Sequence, residues 1–336
     1  MTDENPDEAA RPTDEEPEVT TTEAEAPTTS GPSFEEAAQS EMRDERASRR
    51  ENFAASGPLD IDVSITSGTV TVHLVDEPLA GVEIVHGPAS ENPFLQSLSS
   101  IMEWVSDRFG DPMGASEEMA KAAVEESRIS LVGQRLSVTG PKQRLRMVPL
   151  AVTVRAPAGS HVSVHSGSAD VTVTGPAGRC SIETGSGEVA VDRADGYASI
   201  AAGSGALRLG PMLGGLKARS GSGEIEVSSV GGPATVSTGS GDVWFGAVQD
   251  NVTAKTGSGD LTIADAASGD IDLTTGSGEI RVGVRPGTSA MIDLVSRSGQ
   301  ARSDLDVAER PHADAPKIRL RARTSSGNAL VTSAVG

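Results

Sequence analysis

A seven-residue motif, Gly-Ser-Gly-(Glu/Asp)-(Val/Ile/Leu)-X-(Val/Ile/Phe), recurs along this chain at a near-constant interval. Strict copies begin at Gly185, Gly221, Gly239, Gly257 and Gly276, and looser copies at Gly167 and Gly203. Successive starts lie 18 residues apart, with one interval of 19 between Gly257 and Gly276. Chance does not produce such spacing, so the chain is a repeat array. After each Gly-Ser-Gly the apolar residues alternate: Val171/Val173, Val189/Val191, Leu207/Leu209, Ile225/Val227, Val243/Phe245, Leu261/Ile263 and Ile280/Val282. Period two is the signature of a strand with one buried face. A second short strand follows within each repeat, as in Cys180-Ser181-Ile182, Ala198-Ser199-Ile200 and Ala234-Thr235-Val236. A glycine usually precedes it (Gly178, Gly196, Gly214, Gly232, Gly269), which suggests a corner with positive φ.

A unit this small cannot bury its own apolar face, so stability requires stacking. Each strand then pairs in parallel with its copy in the next coil, giving a mainly β, quasi-one-dimensional parallel solenoid with 18-residue turns. At about 4.8 Å per coil, seven coils make a rod about 34 Å long. Small aliphatic residues fill the thin core, which accounts for an aromatic content of 2%.

The pattern continues less regularly on both flanks, over 59–65, 69–72, 82–85, 129–132, 136–138 and 148–154, and again over 291–295, 318–320 and 329–331. It bounds a solenoid domain at 53–334, with a helical insertion at about 90–127. Within that insertion, residues 93–109 place Phe94, Leu95, Leu98, Ile101, Met102, Val105 and Phe109 at helical spacing, beside Trp104. A second helix is expected over 115–127. Leu98, Met102, Trp104 and Val105 are the candidate partner-binding residues, with packing over the first coils as the competing use. Residues 1–32 are rich in Glu, Asp, Pro and Thr and form a disordered acidic tail, since they hold too little to bury. Residues 33–52 form a charged segment, read as a helix over 34–52 opened by a capping box at Ser33-Phe34-Glu35-Glu36.

The Gly-Ser-Gly-(Glu/Asp)-Val-X-Val repeats and their glycine-led second strands resemble the bacterial putative-adhesin family of β-strand-repeat proteins, over about residues 53–334. The resemblance implies a right-handed β-solenoid. It implies no catalytic residues.

Stacking aligns the fourth motif position into an acidic column: Asp170, Glu188, Glu224, Asp242, Asp260 and Glu279, with Ala206 as the gap. Carboxylates about 4.8 Å apart repel by about 1 kcal/mol per pair in water, so something must compensate. The column is either a calcium-binding or partner-binding stripe, or an exposed turn whose acids accept local N–H groups. The second reading is favoured, because the acid directly follows the second glycine, unlike calcium-binding β-roll repeats. Hydroxyl columns run beside it, Ser168 to Ser277 inside the motif and Thr184, Ser220, Thr238, Thr256 and Thr275 before it. Their natural role is to satisfy turn backbone.

The five histidines (His73, His86, His161, His165, His312) form no ligand cluster in the sequence, and Cys180 is the single cysteine. No metal site, cofactor or disulfide is expected. The net charge is −20, with 12 acids and one base in the first 40 residues, which argues against nucleic acid as a partner. No apolar run reaches the length of a membrane span, and the N-terminus lacks the pattern of a secretory signal. These features lead to the expectation of a non-enzymatic, cytoplasmic solenoid serving as a scaffold or interaction module, its protein partner unidentified. The alternatives are a self-assembling filament of the bactofilin type, formed by end-to-end self-association, and an exported surface adhesin.

Overall fold

The computed structural model describes residues 47–87, 113–305 and 316–334. The acidic tail and the helix expected over 93–109, with Leu98, Met102, Trp104 and Val105, lie outside these residues.

Two long sheets face each other across one apolar core, as the repeat demands. The first strand of each repeat joins one sheet and the second strand joins the other. Pairing between repeats is parallel and in register. Val189 lies opposite Leu207, Leu207 opposite Ile225, and Ile225 opposite Val243. In the other sheet Cys180 pairs with Ala198, Ala198 with Leu216, and Leu216 with Ala234. Each apolar position therefore stacks on its own copy. Val189, Leu207, Ile225, Val243, Leu261 and Ile280 are all buried, as are Ile182, Ile200, Ala218, Val236, Ala254 and Leu273 opposite them. Phe245 is the one aromatic side chain among the fully buried residues described.

The corner glycines are present because backbone meets backbone there. A Cβ on Gly241 would stand 2.0 Å from the carbonyl oxygen of Gly223, and one on Gly259 would stand 1.9 Å from that of Gly241. The glycines before the second strands have the same cause, which corrects the positive-φ expectation. Among them only Gly269 has positive φ. At Gly178, Gly196, Gly214 and Gly232 an added Cβ would instead strike atoms of an adjacent coil within 2.7 Å.

The ends depart from simple stacking. The last coil in sequence, Ile318–Thr324 with Ala329–Ser333, is not the last in space. Ile318–Thr324 pairs with Gly269–Thr275 on one side and Ala290–Ser296 on the other. Ala329–Ser333 likewise lies between Ile280–Val284 and Ala301–Ser303. Burial explains the exchange: Ile318, Leu320 and Ala322 are fully covered, whereas Ala290, Ile292 and Leu294 on the outer coil are half-buried.

At the other end the flanking strands were expected to extend the parallel pattern, but two are antiparallel. Leu79–His86 runs against Leu150–Pro157, which has inserted beside Gly68–Val75. Arg128–Val132 and Arg135–Thr139 form a hairpin, because a two-residue turn at Gly133-Gln134 (Gly133 φ 62°) permits only reversal. Ser48–Ala54 is a strand paired antiparallel with Leu79–His86, where a helix was expected as far as residue 52. Its local charge pattern suits a helix, but a free sheet edge supplies hydrogen bonds that an isolated charged helix lacks. Arg49 Nη1 also donates to the Ser127 carbonyl at 2.7 Å. The helix expected over 115–127 is present as Met113–Glu126 and buries Ala120, Ala123 and Val124 at this end.

Replacing Gly241 by alanine should destabilise the protein by about 3 kcal/mol. Gly57→Ala should change stability little, since nothing lies within 4 Å of its added Cβ. Urea unfolding of the two variants against the parent checks both.

Candidate functional site

The recurring polar columns occupy one corner of the coil, where Gly-Ser-Gly joins the two strands. The residue before each motif points inward. Thr184, Ser220, Thr238, Thr256 and Thr275 are buried polar side chains in an otherwise apolar interior. Burial of a hydroxyl without a partner would be costly, and each has at least two partners. Thr238 Oγ1 accepts the Gly241 N–H at 3.2 Å and donates to the Gly223 carbonyl of the preceding coil at 3.3 Å. Thr256 repeats the pair with Gly259 and Gly241 at 3.1 Å each, and Thr275 with Gly278 (3.1 Å) and Gly259 (2.9 Å). This ladder closes the turn within one coil and ties it to the next, as the sequence suggested. Ala202 occupies the same place in the Gly203 repeat and brings no hydroxyl. The serines inside the motif, Ser186, Ser204, Ser222, Ser240, Ser258 and Ser277, point to solvent.

The acidic column divides by side-chain length. The Glu188 N–H donates to Asp170 Oδ1 at 2.8 Å, the Asp260 N–H to Asp242 Oδ1 at 2.7 Å, and the Glu279 N–H to Asp260 Oδ1 at 2.7 Å. An aspartate thus accepts a backbone donor from the adjacent coil. The longer glutamates reach sideways instead. Glu188 Oε2 holds Arg208 Nη1 at 2.7 Å, and Glu279 pairs with Arg281. The hydrogen bond that Arg208 donates to Glu188, together with the Glu188 charge, holds the Arg208 guanidinium above its ordinary pKa. These pairs are exposed and each contributes about 0–1 kcal/mol. At Asp170, Glu188, Asp242, Asp260 and Glu279 the mutual repulsion is offset by backbone N–H groups or by an arginine, Arg208 on the next coil's strand and Arg281 two residues along from Glu279. Among the described residues no group of three or more His, Cys, Asp or Glu side chains is arranged to hold a metal ion.

Other reactive side chains are dispersed. Burial pushes the Cys180 thiol up to about 12, so it is a neutral, unreactive core group near neutral pH. His165 Nε2 lies 3.9 Å from Glu183, and His73 Nδ1 contacts Thr174 Oγ1 at 2.8 Å. His161 Nδ1 is buried without a hydrogen-bond partner.

One concave feature was not read from the sequence. A cleft of about 460 Å³ lies at the corner beside the strands Asp60–Ile65 and His161–Ser166, lined by Ser64, Thr66, Thr139, Lys142, Arg146 and His165 among others. It exists because the coil made by Arg135–Thr139 and Leu150–Pro157 lacks the tight corner. Residues 140–149, with a 3-10 turn at Gln143–Met147, join its two strands instead. The signal available in the sequence was the absence of any Asp or Glu between Ser127 and Ala169, a span holding six Lys and Arg residues.

Parallel in-register pairing, the hydroxyl ladder and the stacked glycine corners define a parallel β-strand-repeat protein. The chain belongs to the Toastrack DUF4097 family, whose profile matches residues 133–332. Among solved structures, it is similar to a putative adhesin of Bacteroides fragilis NCTC 9343, with 11% identity, TM-score 0.38, and 85% of this chain and 96% of that chain covered. A putative adhesin of Parabacteroides distasonis ATCC 8503 is 12% identical, with TM-score 0.37 and 84% and 96% covered. A putative lipid binding protein of the same strain is 10% identical, with TM-score 0.28 and 85% and 96% covered. No curated protein matches the chain.

Thr238→Val should cost about 1–3 kcal/mol, because it strands a buried N–H and a carbonyl while keeping the side-chain volume. Ala202→Thr should add about 1 kcal/mol by completing the ladder. Thermal unfolding of both variants tests the pair of signs. Millimolar calcium should leave the melting temperature unchanged, since the inner aspartate oxygens are engaged by backbone donors. A calcium-dependent rise, abolished in Asp242→Asn, would reassign the column as a metal site.

Proposed function

We propose that this protein is a non-enzymatic interaction module of the cytoplasm, a right-handed solenoid of 18-residue coils that presents its two sheet faces to a protein partner. The observation that carries this reading is the commitment of the buried hydroxyl ladder and of the column aspartates to the fold. The threonine hydroxyls and the aspartate carboxylates bond to backbone, so the repeated chemistry maintains the coil. Contact chemistry is then left to outward side chains that differ from coil to coil. On one sheet these are Arg208, Glu226, Trp244, Thr262 and Arg281 in succession, and on the other Ser199, Lys217, Thr235, Thr253 and Asp272. A rigid surface with a non-repeating order of charges can select a partner without a catalytic centre.

A second reading, self-association, has one specific observation in its favour. Ala290–Ser296 and Ala301–Ser303 are the outermost strands of the two sheets, and Met291 and Val295 are exposed on the first of them. An open strand edge is a template for pairing. The opposite end finishes in the antiparallel strands Ser48–Ala54 and Arg128–Val132. A head-to-tail fibre would have to join unlike ends, so this reading favours a closed pair over the bactofilin-type filament. Export to the cell surface remains the third reading, and it predicts protein in the envelope fraction.

Amine cross-linking in cells, followed by fractionation and mass spectrometry, separates these readings through exposed lysines. Cross-links from Lys217 and Lys255 to a discrete set of cytosolic proteins are the expected result. Lys317-to-Lys317 links between copies would support the paired form instead. The absence of heterotypic links at the two sheet-face lysines would overturn the scaffold reading.

A further inference from the structure

The cleft beside the 140–149 loop differs in charge from the rest of the molecule. The chain as a whole carries −20, yet Ser127 to Ala169 contains no acid and holds Arg128, Arg135, Lys142, Arg144, Arg146 and Arg155. Among the described residues nine arginines elsewhere in the chain pair with a carboxylate, and none of these six cations does. Lys142 and Arg146 line the cleft directly. Arg128, opposite Thr139 in the hairpin, stands at its edge. Hydroxyl groups accompany the cations at Ser64, Thr66 and Thr139, while the Ser166 hydroxyl is held by Thr184 Oγ1 at 2.9 Å.

The acids that approach the cleft are accounted for. Glu183 is 3.9 Å from His165 at the rim, and Glu126 Oε1 accepts the Lys142 backbone N–H at 3.3 Å. Neither is in an ion pair with the Lys142 ammonium or the Arg146 guanidinium. The acidic column begins at Asp170, and the residues paired in register beyond it are Thr69 and then Ala151. The corner therefore changes from carboxylates stacked on backbone donors to unpaired cations around a concavity.

We propose that this cleft binds a phosphate group, with Lys142 and Arg146 neutralising its charge and the neighbouring hydroxyls donating to its oxygens. Arginine and lysine flanked by Ser and Thr hydroxyls match the several acceptor oxygens and the concentrated charge of a phosphate better than they match a neutral sugar or peptide. The strongly negative remainder of the molecule disfavours a long polyanion, so the ligand is compact, with its charge at one group. A soluble phosphate ester and an anionic phospholipid headgroup share this chemistry.

The test uses the full chain, with inorganic phosphate and pyrophosphate titrated by calorimetry at constant ionic strength against chloride. Saturable binding at one site is expected, weakened at least tenfold in Lys142→Ala/Arg146→Ala. A control that removes the same charge elsewhere, Arg155→Ala/Lys217→Ala, should bind like the parent. Cosedimentation with phosphatidylglycerol vesicles against phosphatidylcholine vesicles then names the source. Retention of the parent but not the cleft variant on the anionic vesicles assigns a lipid headgroup, and binding of free phosphate alone assigns a soluble ester. Phosphate no better than chloride, or equal weakening in both double variants, would overturn the site and leave only general charge screening. Circular dichroism of both variants guards against misfolding, which is not expected because all four substituted side chains are exposed.

Discussion

The structure depends on how closely one coil can approach the next at the Gly-Ser-Gly corner. A strand ladder needs backbones about 4.8 Å apart, and a tight corner brings a carbonyl into the space that a Cβ would fill. Gly187, Gly205, Gly223, Gly241 and Gly259 each face such a carbonyl within 2.0 Å of the missing Cβ. This contact fixes the repeat in the sequence, since every coil must return to the same corner with a glycine in the same place. It also holds the two sheets in register, so each apolar residue lies over its own copy. The buried hydroxyl before the motif then satisfies the amide and carbonyl groups that the corner removes from water.

Charge follows from the same geometry. Stacking forces like side chains into columns, and a column of acids is tolerable only where each acid finds a compensating donor. Asp170, Asp242 and Asp260 find the amide of the neighbouring coil because their side chains are short. Glu188 extends past that amide to meet Arg208 on the next coil's strand, and Glu279 meets Arg281 two residues further along the chain. The acids stop at Asp170, and one coil lies between it and the coil where the tight corner gives way to a ten-residue loop. Charge there is no longer constrained by stacking, and the corner offers a cation-lined concavity.

The two ends show how a one-dimensional fold is terminated. At one end antiparallel strands and a short helix cover the first coils. At the other, the chain passes outward through Ala290–Ser296 and returns to lay Ile318–Thr324 beneath it. The late strand with strict inward alternation, Ile318, Leu320 and Ala322 between outward arginines, thereby becomes internal. The half-buried strand Ala290–Ser296, with Asp293 facing Arg323, is left outside. This order is a property of the assembled stack rather than of any one strand.

The repeat, the two strands per coil, the inward alternation and the backbone role of the threonine column were all legible in the sequence. Each is a local periodicity, and stacking identical units leaves few alternatives. The reason for the glycines at Gly178 and Gly196 was not legible, because a clash with another coil has no local trace. The strand at Ser48–Ala54 was misread as helix for a similar reason: its partner, Leu79–His86, lies about thirty residues away, and a free edge outweighs weak helix propensity. The intercalation of the last coil and the opening of the 140–149 corner are likewise choices among competing neighbours. The sequence alone determined that this chain must stack upon itself. Tertiary structure decided which strands end the stack and where a concave, cation-lined surface remains, since both depend on contacts between residues far apart in the chain.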